Sequence, residues 1–205
     1  MINLPDFNVL KLTEEDKQRG IMYYQQRQRN ELKETATSLD EFLKNLNIKV
    51  KIKNADEFTI PRISQLTLKT NQFNLTTQRY QIEDIEKISK DKNFLVGAME
   101  VKDKFGDSGI TGVFIAKKDG KKMNVDTFLL SCRVMGRKVE NAMMHYIIEH
   151  AKKENIEKIE AKYLPTKKNQ PCSSFLEDFG FEKTQNGWEF NIHKDIKLPE
   201  HIELT

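Results

Sequence analysis

Long apolar runs are absent from this chain of 205 residues. None approaches the roughly 18 residues that a membrane-spanning helix needs, so no spanning segment is expected. Cysteine is nearly absent too. Cys132 and Cys172 cannot make a disulfide framework and read as reduced thiols, which suits a cytoplasmic location. An excess of one charge is missing: 34 Lys and Arg against 31 Asp and Glu leave +3, too little and too dispersed to argue for nucleic acid. The opening Met1-Ile2-Asn3-Leu4-Pro5-Asp6 shows neither the basic nor the apolar stretch of a secretory signal. His145 and His150 stand five apart, the wrong spacing for two ligands on one helix face. No Cys, His or Asp cluster has metal-ligand spacing, so no metal is expected. Internal repeats and low-complexity blocks are lacking. Phenylalanine is plentiful: 12 Phe and 38% hydrophobic residues supply a core beside 32% charged residues.

The patterning alternates between helix and strand periods. Residues 1–12 read as a tether. Thr13 and Asp16 mark the start of a helix to about Asn30. Ser38-Leu39-Asp40-Glu41 resembles a capping box, followed by Phe42, Leu43 and Leu46 on one face. Ile48 to Ile52 alternates as a half-buried strand. Pro61 opens a helix to about Thr70 with Ile63, Leu66 and Leu68 apolar, and 81–90 is amphipathic on Ile82, Ile85 and Ile88. Between them, 71–77 is polar and without helical period. Three strands follow, Phe94–Val101, Ile110–Ala116 and Val125–Cys132, with turns at Gly106–Gly109 and Asp119-Gly120. A long helix from Gly136 to Lys153 leads to a strand at Ile156–Tyr163 and a helix from Pro171 to Phe179, stopped by Gly180. Phe181 and Trp188 suggest a closing hairpin, and 194–205 a polar tail. Hairpin-linked strands joined by one long helix to a further strand make an α+β fold.

The chemistry concentrates where the third of those strands meets the long helix. A helix N-terminus offers unpaired N–H groups and partial positive charge, a glycine lets backbone approach a phosphate, and arginines add charge-assisted donors. Arg133, Gly136 and Arg137 supply these parts, and Arg-x-x-Gly-x-(Gly/Ala) resembles the pyrophosphate turn of GNAT acyltransferases, with Lys138 at the last small position. Asn169 with Gly180-Phe181 resembles a later GNAT frame. Leu176 stands there in place of the tyrosine that commonly protonates the departing thiolate, which counts against ordinary acetyl transfer.

Four blocks in order resemble the FkbH-like family: Arg62 to Thr77, Asp103 to Gly109, Ser131 to Arg137, and Pro165 to Asn169. The resemblance covers about residues 10–183. It implies a GNAT-like mixed sheet flanked by helices, with a helical extension at 1–47, the GNAT-like domain at 48–193 and the tail at 194–205. Full-length members pair a haloacid-dehalogenase-like phosphatase domain with this one. They are associated with loading a glyceryl unit from 1,3-bisphosphoglycerate onto an acyl carrier protein for methoxymalonyl-type polyketide extender units. No Asp-x-Asp-x-Thr stretch is present, so the resemblance implies the C-terminal part alone. The phosphatase domain would be a partner in cis or trans, and no phosphatase activity is expected of this chain.

The resemblance implies coenzyme A or carrier-bound phosphopantetheine as cofactor, held in the strand splay with Arg133, Gly136 and Arg137 near the phosphate and Asn169 on an amide. Thr67, Thr70, Asn71, Gln72 and Asn74 suit a thioester or pantetheine amide, or a loop that satisfies its own backbone. Asp103 and Asp107 suit acid/base groups or turn residues, with Asp107 taken as the catalytic candidate. Tyr163 is the hydroxyl placed to replace the missing acid. Cys132 suits acylation by a thioester or a small strand residue. Lys117, Lys118, Lys121 and Lys122 suit docking of an acidic carrier protein or a solvated hairpin. The alternatives are an independent acyl-CoA N-acyltransferase and a non-catalytic docking module, with no nucleic acid or membrane partner.

Overall fold

A computed structural model describes residues 14–205. Two helices, α1 (Glu14–Thr35) and α2 (Leu39–Asn45), precede strand β1 (Ile48–Asn54). Helix α3 (Ile60–Lys69), the short strand β2 (Phe73–Asn74) and helix α4 (Ile82–Ser89) follow. Strands β3 (Phe94–Asp103), β4 (Gly106–Asp119) and β5 (Lys122–Leu130) form a meander. Helix α5 (Val139–Lys153) crosses to β6 (Lys158–Ala161), and α6 (Phe175–Phe179), β7 (Glu182–Thr184), β8 (Gly187–Asn191) and β9 (Ile202–Leu204) close the chain. The sheet runs β7-β8-β6-β5-β4-β3-β1-β9, with β2 joined to β5 off that path. The β5–β6 and β1–β9 pairs are parallel and the rest antiparallel.

Strand alternation sends apolar side chains to both faces, so both must be covered. Leu95, Met99, Phe114, Phe128 and Leu130 pack with α2, α5 and α6. Val96, Ala98, Val113, Ile115 and Leu129 pack with Ile63 and Leu66 of α3 and Ile85 of α4. Gly97 in β3 faces Phe114 in β4, whose ring covers the place a Cβ would fill.

Several sequence expectations are corrected. Thr13 lies outside the described residues. Ser38 does cap α2, accepting from the Glu41 N–H at 3.1 Å, but the Glu41 carboxylate turns back one residue further, to the Thr37 N–H and hydroxyl. Leu68 and Ile82 point outward. The β3–β4 turn falls at Lys104-Phe105, and Gly106 already pairs with Asp103. The long helix starts at Val139, not Gly136. Part of the polar tail is strand: Ile202 to Leu204 pairs with Ile48 to Val50, because Ile202 is buried in the core. No described helix is long and apolar enough to cross a membrane.

Candidate functional site

The site is built where β5 and β6 part. Their parallel pairing ends at Val125↔Ala161, while β5 runs on to Leu130. The β4–β5 register slips there, with Ile115 opposite Thr127 and Ala116 opposite Val125, so Asp126 is a bulged residue. Its carboxylate accepts from the Tyr80 hydroxyl at 2.6 Å and the Thr127 hydroxyl at 2.8 Å. In an open splay, β5 would present bare backbone groups to a ligand amide.

Here the chain fills the gap itself. Phe73 and Asn74 pair antiparallel with Leu130 and Leu129. The Leu75 N–H donates to Phe128 O at 3.1 Å, and Leu75 O accepts from the Leu164 N–H at 2.8 Å. The Thr76 hydroxyl donates to Asp126 O at 2.6 Å. Residues 73–76 are all buried and bridge the diverging strands. The pantetheine slot expected from the sequence is thus occupied by backbone with its own hydrogen bonds satisfied.

The expected ligand-binding residues mostly hold that segment in place. Asn169 is fully buried. Its amide nitrogen donates to Asn74 O and Leu164 O, both at 2.9 Å, and its oxygen accepts from the Thr166 N–H at 2.7 Å. Tyr163 donates its hydroxyl to Asn169, and burial pushes its pKa up, so it braces the 163–169 loop rather than standing as a free acid. Thr67 is buried against Ser64 O and Tyr80, and the Asn74 side chain bonds Thr70 O and the Thr77 N–H. Thr70 ends α3 and is covered, with its carbonyl bonded by Arg79. Asn71, also held by Arg79, and the exposed Gln72 remain at a cleft wall.

The turn after β5 is a 3₁₀ segment, Cys132–Val134, leading through Gly136 (φ +77°) and Lys138 (φ +58°) into α5. Gly136 is exposed, with open space where a Cβ would stand. Arg137 turns inward. Its Nη1 meets Asp103 Oδ2 at 2.9 Å and its Nη2 donates to Arg133 O at 2.7 Å. Arg29 of α1 holds the same carboxylate bidentately, at 2.7 and 2.8 Å. Burial is the larger force on Arg137, pushing it down to about 10. The Asp103 carboxylate opposes that shift and Arg29 adds to it. Asp103 also accepts from the Phe105 and Gly106 N–H groups, so it locks a turn and two arginines together. His201 contacts Arg137 O at 3.1 Å and ties the last strand to the same turn.

The first turn of α5 already carries an acid. Glu140 is partly buried, and its Oε2 has no partner among the described residues. Desolvation raises its pKa, against the lowering pull of its own N–H and Lys138. The fold therefore holds a proton that the unfolded chain releases, and stability falls as pH rises from the ordinary carboxylate range through the raised value. Glu140→Gln is expected to remove that fall and to be the more stable protein at neutral pH, checked by urea midpoints across pH.

Asp107 is exposed and paired with Lys102 at 2.8 Å, and it accepts from the Gly109 N–H at 2.7 Å. Partial burial pushes its carboxyl up, but Lys102 and Gly109 outweigh it and leave the pKa low. A low pKa makes a weak general base. The hairpin lysines are also engaged. Lys118, Lys121 and Lys122 pair with Glu154, Glu157 and Glu160, and Lys117 lies over the Phe94 ring.

Cys132 is where the structure gathers unspent chemistry. It is exposed and lines two clefts. One, of about 620 Å³, lies against α1 with Asp107, Arg133 and Arg137. The other, of about 890 Å³, is bounded by α3, the 131–133 turn and the 167–171 loop. Cys172, by contrast, is buried, donates to Asn169 O at 3.2 Å, and has its thiol pKa pushed up by burial. Sequence reasoning missed Arg62, Lys69, Lys167 and Lys168 as cleft residues, although each stands inside a family-like block.

No protein-family model matches the chain, and no curated protein matches it. Solved structures do. An acetyltransferase of the GNAT family from Staphylococcus aureus aligns with a TM-score of 0.54 at 12% identity, covering 70% of this chain and 99% of that one. A domain from Methanocaldococcus jannaschii gives 0.54 at 14% identity, covering 70% of this chain and 99% of that one. N-acetylglutamate synthase from Neisseria gonorrhoeae, solved with coenzyme A and N-acetyl-glutamate, gives 0.53 at 15% identity, covering 71% of this chain and 35% of that one. The fold is that of the GNAT acetyltransferases, a mixed sheet flanked by helices.

Proposed function

We propose that this chain is a GNAT-like acyl-transfer domain of the FkbH type. It takes an acyl group, a glyceryl unit on the family resemblance, onto Cys132 and passes it to the thiol of a phosphopantetheine arm. The observation that carries this reading is the seat of Cys132: an exposed thiol shared by two clefts, next to a strand splay that the chain's own backbone has closed. The 73–76 segment fills the splay across which a direct transfer between two ligands would run. A relay through a protein thiol needs only access to Cys132.

With an acyl thioester as the immediate donor, the chemistry is two thioester exchanges. The Cys132 sulfur attacks the donor carbonyl, and the donor's C–S bond breaks. The departing thiolate takes the proton that Cys132 gives up. A pantetheine thiol then attacks the acyl-Cys132 carbonyl, loses its proton, and Cys132 leaves as the thiol. Each exchange trades one thioester for another, so the domain's task is positioning rather than driving force.

Intact mass spectrometry after incubation with the N-acetylcysteamine thioester of glycerate tests it. The expected result is one glyceryl mass on the native chain, mapped to the peptide holding Cys132, and none on Cys132→Ser. The same mass on Cys132→Ser would overturn the reading. The N-acyltransferase alternative rests on the fold. Thiol release from acetyl-coenzyme A with common amines, above the uncatalysed rate and persisting in Cys132→Ser, would favour it.

A further inference from the structure

We propose that the cleft bounded by α3, the 131–133 turn and the 167–171 loop is a phosphate-binding site for the pantetheine thiol that meets Cys132. This inference rests on the reading of Cys132 above and adds the group that recognises its partner.

Five basic side chains converge on this cleft from three separate segments: Arg62 and Lys69 from α3, Arg133 from the turn after β5, and Lys167 and Lys168 from the loop before Asn169. No carboxylate lines it. Among the described residues none of the five has an acidic partner within 4 Å. Ten other lysines, on the hairpin and elsewhere, are each paired with a Glu or Asp. Arg62 spends its donors on Ile110 O and Gln65, and its pKa is lowered by burial and by the charge of Arg133.

Holding like charges together costs free energy in the empty protein, and a bound anion recovers it. The remaining polar lining is neutral: the hydroxyls of Thr70 and Ser131 and the side-chain amides of Gln65, Asn71, Gln72 and Gln170. Those amides match the two amides of pantetheine, while the cations match a phosphate ester. Cys132 stands on the same wall as Arg133, so a thiol tethered to that phosphate is delivered to it. The volume, about 890 Å³, is that of a small-molecule site. The ligand chemistry is a phosphate ester on pantetheine, borne either by coenzyme A or by a carrier-protein serine.

The test uses the full chain and the disulfide exchange rate of Cys132. The probes are mixed disulfides of thionitrobenzoate with pantetheine, with 4′-phosphopantetheine and with coenzyme A, and each rate is normalised to alkylation by neutral iodoacetamide. The phosphorylated probe is expected to react roughly tenfold or more faster than pantetheine at low salt, the lower end of electrostatic steering. That advantage should collapse in Lys167→Glu/Lys168→Glu and persist in Lys121→Glu. An advantage no greater for coenzyme A than for phosphopantetheine assigns the site to a carrier-borne arm, and a greater one assigns it to the nucleotide form. Equal rates for pantetheine and phosphopantetheine, or an advantage that survives charge reversal, would overturn the proposal. If the advantage holds but Cys132 accepts no acyl group, the phosphate site stands and the acyl-transfer reading falls. If Cys132 is acylated without any advantage, the site falls alone.

Discussion

Replacing Asp103 with alanine is expected to remove about 3–5 kcal/mol of stability, the cost of leaving buried charges without their partner. Arg29 and Arg137 both point at this carboxylate from nearly sealed positions, and neither has a second acid among the described residues. Their mutual repulsion, balanced in the native protein, is then unopposed. The loss has a functional side. Arg137 also anchors the Arg133 carbonyl, so the turn bearing Cys132 loses its hold on the sheet and on α1. Acylation of Cys132 should fall with stability. Urea unfolding measures the first effect, and a loss below about 1 kcal/mol, the worth of an exposed pair, would show that the triad is not the buried lock described here.

Asn169→Ala carries the second large effect, expected at about 2–4 kcal/mol from several buried groups left without partners. Asn74 O, Leu164 O and the Thr166 N–H all lose the Asn169 amide. If Asn169 instead served a bound pantetheine, as its place in the sequence suggests, the variant would keep its unfolding midpoint and lose only ligand affinity. The two outcomes separate on one denaturation curve.

Much of the fold was legible because it follows local periods. The alternation in Ile48–Ile52, the Asp119-Gly120 turn and the Gly180 stop each express a short-range rule. The meander plus crossing helix followed from their order. What escaped was long-range. Nothing local marks Phe73-Asn74 as a strand, since its partner is Leu129-Leu130 more than fifty residues on. The polar residues of 67–76 looked like ligand groups because the same donors and acceptors that suit an amide also suit a backbone, and only tertiary contact decides between them. Ile202-Glu203-Leu204 is too short an alternation to mark a strand by itself, so it was invisible without its partner β1.

The site shows the same division. Residues at the turn after β5 were found from spacing, but their roles divided by burial. Arg137 is buried and tied to Asp103, whereas Cys132 is an exposed thiol. Arg62 and Lys69, more than sixty residues before the turn in sequence, come to one cleft with it and with Lys167 and Lys168 only through the fold.

The central claim is that residues 73–76 keep the β5–β6 splay closed while the pantetheine thiol is handled at Cys132. Hydrogen exchange at the Leu75 and Leu164 amides, which close the splay through Phe128 O and Leu75 O, tests it directly. Protection at both amides is expected to be unchanged on saturation with coenzyme A or phosphopantetheine. Loss of protection at Leu75 and Leu164 on adding either ligand would show that the segment gives way to the arm, and would contradict the account.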